Sequence, residues 1–395
     1  MMLVRCRAIR SILCKRGTTV IIGQEFPKLG TTSSFASCFP PPFSRRNFAS
    51  NSDSPTGTVT VTIQDAQDTT AKALKAIGWD AEDAALQAEI MTAAELCGNN
   101  QGLVKMYQPH LMAPATGARK PTIERDTPTS AVVNANQSPG MLAAVTAADL
   151  AVQKVKRSGG PTVAIVTSYN TSTSSGQLAF YVERIARQGL IGISMANSPE
   201  FVAAASGGNP IFGTNPLAVG VPLSTGAPFV FDMATSAIAL FGVLTAKAKG
   251  EPLPHGVAFG KDGKFTTNAS EALEGGAIAP FGGHKGAGLS LCVELLAGVL
   301  SGGAVLGQCE SKKIAKNWGH TFIVIDPNRL VDNFDEKAAS VIQAVKASDP
   351  TGGIRIPGER SAATAVERLK KGEMPVPTNV WESIVKTALE GLPGK

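Results

Sequence analysis

The chain has 395 residues, of which 43% are hydrophobic and 17% charged, and it contains 41 Gly and 25 Pro. This composition is typical of a globular protein with many turns. Since no run of about 18 uninterrupted apolar residues occurs, the sequence predicts no transmembrane helix and no membrane partner. The six cysteines include no Cys-x-x-Cys pair, which argues against a zinc site and against a disulfide framework.

Positive charge is concentrated in the first 50 residues. This segment has eight Lys and Arg against one Glu, a net charge of +7, whereas the whole chain carries +6. The rest of the chain therefore carries −1 and provides no general surface for phosphate groups, which argues against nucleic acid as a partner.

The composition of residues 1–48 predicts an organelle transit peptide, because they are rich in Arg and Ser and poor in acidic residues. Residues 46–50 (RNFAS) resemble a mitochondrial processing site, with cleavage after Phe48. The hydroxyl-rich residues 31–37 leave a plastid leader as the alternative. We therefore expect a mitochondrial or, in second place, a plastid protein that begins near Ala49.

The first predicted elements after the leader are a short strand and two helices. Val59, Val61 and Ile63 alternate with threonines as in a β-strand, and an Ala-rich helix then extends to Ile77. Asp80 is placed to cap a second helix, which ends near Gly98. Helices this close in sequence are expected to pack as a hairpin.

Strands and helices then alternate from residue 131 to residue 329. The predicted helices are 141–157, 176–188, 235–249 and 285–300. The predicted strands are 162–167, 190–195, 217–221, 228–231 and 321–325. This alternation predicts an α/β domain over residues 131–329. The N-terminal segment 58–130 is predicted to be helical and to join the mostly helical C-terminal segment 330–395.

The usual nucleotide-binding motifs are absent from this sequence. No Gly-x-Gly-x-x-Gly follows a predicted strand, and no Gly-x-x-x-x-Gly-Lys-Ser/Thr occurs. Any nucleotide site in this chain is therefore built in another way.

Four short segments carry a more specific signal. They are residues 213–222 (GTNPLAVGVP), 231–236 (FDMATS), 282–298 (GGHKGAGL followed by VELLAG) and 356–360 (IPGER). In order and spacing they resemble the malate/L-lactate dehydrogenase family, whose members reduce 2-oxo acids or cyclic imines with NADH or NADPH. The resemblance implies a non-Rossmann α/β fold with a mixed-sheet core, a small carboxylate substrate, NAD or NADP as cofactor, and a homodimer.

The resemblance also implies which residues contact the cofactor: Pro228, Phe229, Val230, Phe231, Asp232, Met233, Ala234, His284, Lys285, Gly358, Glu359 and Arg360. Local sequence supports two of these places. A helix predicted to begin at Thr235 would direct N–H groups and the positive end of its dipole towards a pyrophosphate. Lys285, between Gly283 and Gly286 at another predicted helix start, is placed to pair with a phosphate.

The family's Ser-His-Gly triplet, followed three residues later by Arg, is altered in this chain. Gln101 stands in place of the histidine, and Lys105 keeps the positive charge of the arginine. The loop 170–176, where a second family histidine is expected, contains none. An amide cannot act as a general acid near neutral pH. Either another group supplies the proton, with Lys105, Asp232 and His284 as candidates, or the reaction differs from simple oxidation of a 2-hydroxy acid.

The resulting hypothesis is an NAD(P)-dependent oxidoreductase acting on a small 2-oxo, 2-hydroxy or 2-imino acid. Lys105 would bind the substrate carboxylate, Gln101 would orient the reacting group, and Asp232 would assist proton transfer. Thr214 and Asn215 complete the predicted substrate site. Asp232 has an alternative role as the cap of the helix that follows it. The alternative function is a catalytically silent protein that kept the fold and the dinucleotide pocket.

Overall fold

The computed structural model describes residues 57–99, 101–306, 308 and 317–392, so the predicted transit peptide lies outside the described residues. The helices of this part are α1 (Ile63–Ala76), α2 (Ala81–Leu96), α3 (Gly140–Lys156), α4 (Ala179–Ala186), α5 (Leu240–Lys249), α6 (Ala269–Leu273), α7 (His284–Val293), α8 (Phe334–Ala347), α9 (Glu359–Lys371) and α10 (Thr378–Glu390). Shorter 3₁₀ turns span Leu103–Tyr107, Pro109–Met112 and Pro327–Arg329, and a π-helical segment, Glu294–Val299, continues α7. No helix of the described residues has the length and apolar character needed to span a membrane.

The strands form three sheets. They are β1 (Thr58–Thr62), β2 (Thr122–Asp126), β3 (Ser130–Asn134), β4 (Val163–Tyr169), β5 (Ile191–Ala196), β6 (Val202–Ala203), β7 (Pro210–Phe212), β8 (Leu217–Val221), β9 (Phe229–Met233), β10 (Ala258–Phe259), β11 (Ala277–Ile278), β12 (His320–Ile325) and β13 (Glu373–Pro377). The smallest sheet, β1 with β13, brings the two ends of the described chain together.

The N-terminal and C-terminal segments lie against each other. In the antiparallel β1–β13 pair, Val61 stands opposite Met374, and both side chains are buried. Helix α1 packs against both α2 and α10. The carboxylate of Asp80 accepts a 2.8 Å hydrogen bond from the N–H of Asp83, so the predicted cap of α2 is confirmed.

The main core lies between a seven-stranded sheet and helices α3 and α4. The strand order is β2-β3-β4-β12-β5-β8-β9, with β3 and β4 parallel and the other neighbours antiparallel. Phe322 of the central strand β12 is fully buried, and its ring lies 5.8 Å from the ring of Tyr181 in α4. The predicted α/β fold with a mixed-sheet core is therefore confirmed.

A second core lies under a four-stranded sheet of order β10-β11-β6-β7. Helices α5 and α6 pack with this sheet around Val202, Phe212 and Ile278. Its strands have two or three residues, so an alternation of apolar and polar side chains cannot identify them in the sequence. Strands β2 and β13 also fall in segments that were predicted to be helical.

The helix predicted from Thr235 is wrong over its first five residues, because α5 begins only at Leu240. The N–H of Thr235 donates to the carbonyl of Thr214 (2.9 Å), and the N–H of Ala237 donates to the carbonyl of Ala279 (2.8 Å). These long-range hydrogen bonds hold the chain in a non-helical path after β9. The segment therefore presents no helix N-terminus to a pyrophosphate.

Candidate active site

A cavity of about 1540 Å³ lies beside the edge strand β9. Its wall includes the end of α2, the 3₁₀ turns that follow, the loop 173–178 and the start of α9. Sites for a single small ligand usually measure about 300–1,000 Å³. The cavity therefore has room for a dinucleotide together with a small acid.

Hydrogen bonds join the segment 99–105 to the loop 173–178 on this wall. The ammonium of Lys105 donates to the hydroxyl of Ser174 (2.5 Å), and the side-chain N–H of Asn99 donates to Gln177 Oε1 (3.1 Å). Gly102 makes the close approach to α2 possible, because a Cβ at this position would lie 2.2 Å from the carbonyl oxygen of Met91. The two segments in which the family histidines are missing thus meet at the cavity.

No histidine lines this cavity, although all four lie in the described residues. His110, His255 and His284 are exposed on the surface. His320 is buried in the central strand, where burial lowers its pKa to about 4. A proton for the reaction must therefore come from another kind of side chain in the cavity.

Asp232 is a suitable source of this proton. Its carboxyl lines the cavity at the end of β9 and accepts a 2.8 Å hydrogen bond from the N–H of Ala179, the first residue of α4. Burial raises the pKa of Asp232 to about 6, against the opposing effect of the backbone N–H groups of Ala179 and Leu178. Asp232 therefore caps α4, and the role as cap of the helix that follows it in sequence is wrong.

Four further charged side chains on the wall form two ion pairs. Arg187 Nη2 lies 2.5 Å from Glu183 Oε1, and Lys346 pairs with Glu359. These four charges offset one another. The two other charged residues among the described lining of the cavity are Lys105 and Asp232.

The structure brings most of the predicted site residues together. The cavity is lined by Gln101, Lys105, Thr214, Pro228, Phe229, Val230, Asp232, Met233, Ala234, Gly358 and Glu359. The predicted residues that do not line it are Asn215, Phe231, His284, Lys285 and Arg360. Asn215 is fully buried behind the wall, whereas His284 and Lys285 are exposed at the start of α7. Ligand contacts by all of the predicted residues, inside and outside the lining, stay predictions.

The start of α9 offers the helix terminus that the Thr235 segment lacks. Gly358 precedes the helix with φ of +86°, and a Cβ there would lie 2.5 Å from the carbonyl oxygen of Val230. Glycine thus allows the helix start to pack directly on β9. The first N–H groups of a helix have no intrahelical acceptors, and together with the helix dipole they favour an anion such as a pyrophosphate.

Ser174 and Gln177 contribute to the site, although neither was predicted as a site residue from the sequence. Their hydrogen bonds position Lys105 and Asn99. The available signal is the run of hydroxyl residues 171–175, which comes directly after β4. Polar loop residues that follow a rigid strand often face a ligand.

Fold and cavity together define an α/β protein whose dinucleotide-sized site is built without a Rossmann motif. The chain belongs to the malate/L-lactate dehydrogenase family, whose profile matches residues 61–385. The resemblance inferred from the four segments is therefore confirmed, and the protein is an oxidoreductase.

Individual relatives agree with this family. The chain is 32% identical to the malate dehydrogenase of Pyrococcus horikoshii over 342 residues, which cover 81% of this chain and 93% of that protein. It is 36% identical to the L-sulfolactate dehydrogenase of Methanothermobacter thermautotrophicus over 255 residues, 64% of this chain and 72% of that protein. Among solved structures, the Δ1-piperideine-2-carboxylate reductase of Pseudomonas syringae aligns with a TM-score of 0.75 and 30% identity, covering 84% of this chain and 100% of that one.

Proposed function

We propose that this protein is an NAD(P)H-dependent reductase of a small carboxylate with a 2-oxo or 2-imino group, and that it also oxidises the corresponding 2-hydroxy acid. The observation that carries the proposal is that Lys105 and the buried carboxyl of Asp232 line one cavity together with strand β9. Relatives named for malate, L-sulfolactate and Δ1-piperideine-2-carboxylate support this class of substrate.

Three side chains of the cavity act on the substrate, each in a different role. Bound NADH or NADPH supplies the hydride that adds to the carbonyl or imine carbon. Lys105, held by Ser174, binds the substrate carboxylate through a charge-assisted hydrogen bond. The amide of Gln101 orients the reacting oxygen or nitrogen, and Asp232 donates a proton to that atom. A carboxyl with a pKa of about 6 holds this proton much closer to neutral pH than an ordinary Asp does.

The cofactor lies between β9 and the start of α9. Residues 228–230 and 232–234 provide one side of this part of the cavity, and Gly358 with Glu359 provides the other. The N-terminus of α9 would hold the pyrophosphate in place of the Thr235 segment. The proposal covers both NADH and NADPH.

A substrate panel tests the proposal. The protein starting at Ala49 is mixed with 2-oxo acids and cyclic 2-imino acids, each with NADH and with NADPH, and the absorbance of the reduced cofactor is followed. Turnover of at least one acid is expected. Cofactor binding in a fluorescence titration without turnover of any acid would instead identify the silent dinucleotide-binding protein, and absence of binding would contradict both functions.

The family resemblance also leads us to propose a homodimer. Leu291, Leu295 and Val299 recur every four residues along α7 and the π-helical segment, so they share one face of the helix. Their side chains are 47%, 52% and 58% exposed. Exposed apolar surface of this kind is typical of a protein interface. We therefore assign the α7 face, defined by these three residues, to contact with a second copy.

We further propose that the protein is imported into mitochondria and cleaved after Phe48. The support is the +7 charge of the first 50 residues and the processing-site sequence at 46–50. N-terminal sequencing of the native protein should give a start near Ala49. An intact Met1 in the mature protein would contradict this, and fractionation with plastids would favour the alternative leader.

A further inference from the structure

Glu294 is a buried carboxylate that the reaction described above does not use. Only 2% of the residue is exposed, and it is the first residue of the π-helical segment. Its Oε1 accepts a hydrogen bond from Asn215 Nδ2 (2.9 Å), and its Oε2 accepts from Asn197 Nδ2 (3.3 Å) and from the N–H of Leu306 (3.3 Å). Among the ion pairs between described residues, none involves Glu294.

Two of the three donors belong to segments that form the cavity wall. Asn197 lines the cavity, as does the residue after it, Ser198. Asn215 follows Thr214, which also lines the cavity, and the N–H of Thr214 donates to Ser198 Oγ (3.1 Å). Through one carboxylate, the chain after β5 and the chain before β8 are held together at the wall.

The same network reaches the end of the predicted cofactor strand. Asn215 Nδ2 also donates to the carbonyl of Ser290 (3.2 Å), and the hydroxyls of Ser290 and Thr235 lie 2.8 Å apart. The hydroxyl of Thr235 is within hydrogen-bond distance of the carbonyls of Thr214 and Asn215 (3.2 and 3.1 Å). Thr235 directly follows Ala234, the last residue of the predicted cofactor segment.

We infer that Glu294 is a positioning residue that sets the shape of the cofactor-binding wall by holding Asn197 and Asn215. The inference rests on the proposed function, since it assigns the purpose of this wall to cofactor and substrate binding. Glu294 acts through the two asparagines and contacts neither the substrate nor the reacting atoms.

The chemistry of the three donors explains why a carboxylate is present. An ionised Glu has only acceptor sites, whereas a Gln of the same shape carries an NH₂ group that donates. If this NH₂ group takes the Oε2 position, it faces the N–H groups of Asn197 and Leu306. If it takes the Oε1 position, it faces Asn215 Nδ2. In either orientation at least one N–H group loses its acceptor at residue 294, which shifts the wall. Asn197 Nδ2 and Asn215 Nδ2 then keep their bonds to the carbonyls of Ala304 (2.7 Å) and Ser290 (3.2 Å).

The network is separate from the contacts that hold the proposed proton donor and the carboxylate clamp. Asp232 is held by the N–H of Ala179, and Lys105 contacts Ser174. A change at Glu294 should therefore weaken ligand binding more than it slows the chemical step. This split between KM and kcat distinguishes positioning of the wall from general loss of structure.

The experiment compares Glu294→Gln with the wild type and with Val324→Ala, a core substitution in β12 away from the cavity. For each protein we measure Tm, the Kd of NADH and NADPH by fluorescence titration, and KM and kcat for an accepted 2-oxo or 2-imino acid. We expect Glu294→Gln to raise the cofactor Kd and the substrate KM at least about tenfold with kcat largely kept, because a donor that loses its acceptor shifts the binding wall.

Val324→Ala should lower Tm at least as much as Glu294→Gln while leaving Kd and KM at wild-type values. Ser290→Ala removes one hydroxyl of the same network. It is measured in place of Glu294→Gln if that variant does not fold. It should raise the cofactor Kd by a smaller factor. Unchanged Kd and KM in the folded network variants, or equal changes in Val324→Ala, would overturn the inference. A wild type that binds neither cofactor would overturn the proposed function itself, and with it the assigned purpose of the wall.

Discussion

Asp232 and Ala179 are 53 residues apart in sequence, yet Asp232 Oδ2 accepts a 2.8 Å hydrogen bond from the backbone N–H of Ala179. The contact fixes the carboxyl at the end of β9 over the first turn of α4. Burial opposes ionisation of the carboxyl more strongly than this N–H favours it, so the pKa rises to about 6. One side chain therefore caps a helix and has a raised pKa at the wall of the cavity.

The pH dependence of reduction should follow the protonated form of Asp232. Since an acid catalyst acts only while protonated, kcat/KM for reduction should fall as the pH rises above about 6. Asp232→Asn removes the proton and should lower kcat/KM by about a hundredfold or more, with no titration in this range. Rate profiles of both proteins from acidic to mildly alkaline pH provide the test. Parallel profiles would exclude Asp232 as the donor.

Lys105→Met tests the carboxylate clamp. The substitution keeps much of the side-chain length and removes the charge, so kcat/KM should fall tenfold or more, a loss of about 1.4 kcal/mol of transition-state stabilisation. The matched control is Lys72→Met on the exposed surface of α1, which should behave as the wild type. Ser174→Ala removes the hydroxyl that Lys105 contacts and should raise KM by a smaller factor.

A wild type that reduces 2-oxo acids and is indifferent to Lys105→Met would refute the clamp. Gln101→His is the companion variant, because it restores the family residue at the cavity. A protein that binds cofactor but stays inert until this histidine is introduced would support the silent-binder alternative.

The stability of the fold should depend on pH through His320. Burial lowers its pKa to about 4 in the folded state, whereas the unfolded chain has the ordinary value of about 6.5. Stability from the neutral ring is complete above the unfolded pKa and is lost as the pH falls towards 4, about 2 kcal/mol by about pH 5. Urea unfolding at about pH 7.5 and about pH 5 should show this extra loss in the wild type relative to His320→Gln. The exposed control His110→Gln should keep the wild-type pH dependence.

Leu295→Glu tests the proposed dimer face. A buried, unpaired charge in an apolar interface is costly, so this variant should elute as a monomer in size-exclusion chromatography with light scattering. The control Leu389→Glu changes a leucine on α10 that is 80% exposed and should leave the dimer intact. If the wild type is monomeric, or if the Leu295→Glu variant is still a dimer, the α7 face does not form a dimer interface.

The cofactor affinity of variants at Lys285 and Leu295 is a second test of the proposed dimer. Lys285 does not line the cavity of its own chain. We therefore expect that its predicted phosphate contact is made to the cofactor of the second copy. Lys285→Ala should then weaken cofactor binding by about 1.5–3 kcal/mol, and Leu295→Glu should weaken it as well. If Lys285→Ala leaves cofactor affinity unchanged in a confirmed dimer, this lysine only faces solvent.

Local patterns in the sequence predict the elements whose causes are themselves local. Asp80 and Gly98 bracket α2 because capping and termination depend on residues within one turn. Strands β5 and β12 are visible as short runs of buried apolar residues. The false helix start at Thr235 shows the opposite case. There, the hydrogen bonds that Thr235 and Ala237 donate to the carbonyls of Thr214 and Ala279 outweigh a helix-compatible local sequence.

The sequence by itself determined the family, through four motifs in order, and it predicted Lys105 and Asp232 as charged groups of the site. Only the tertiary structure decided that Asp232 caps α4, that Lys105 meets Ser174 across 69 residues of chain, and that Lys285 lies off the cavity. A motif reports which side chains are present. Burial and hydrogen-bond partners arise from segments far apart in the chain, and they set the pKa of Asp232 and the direction in which each side chain faces.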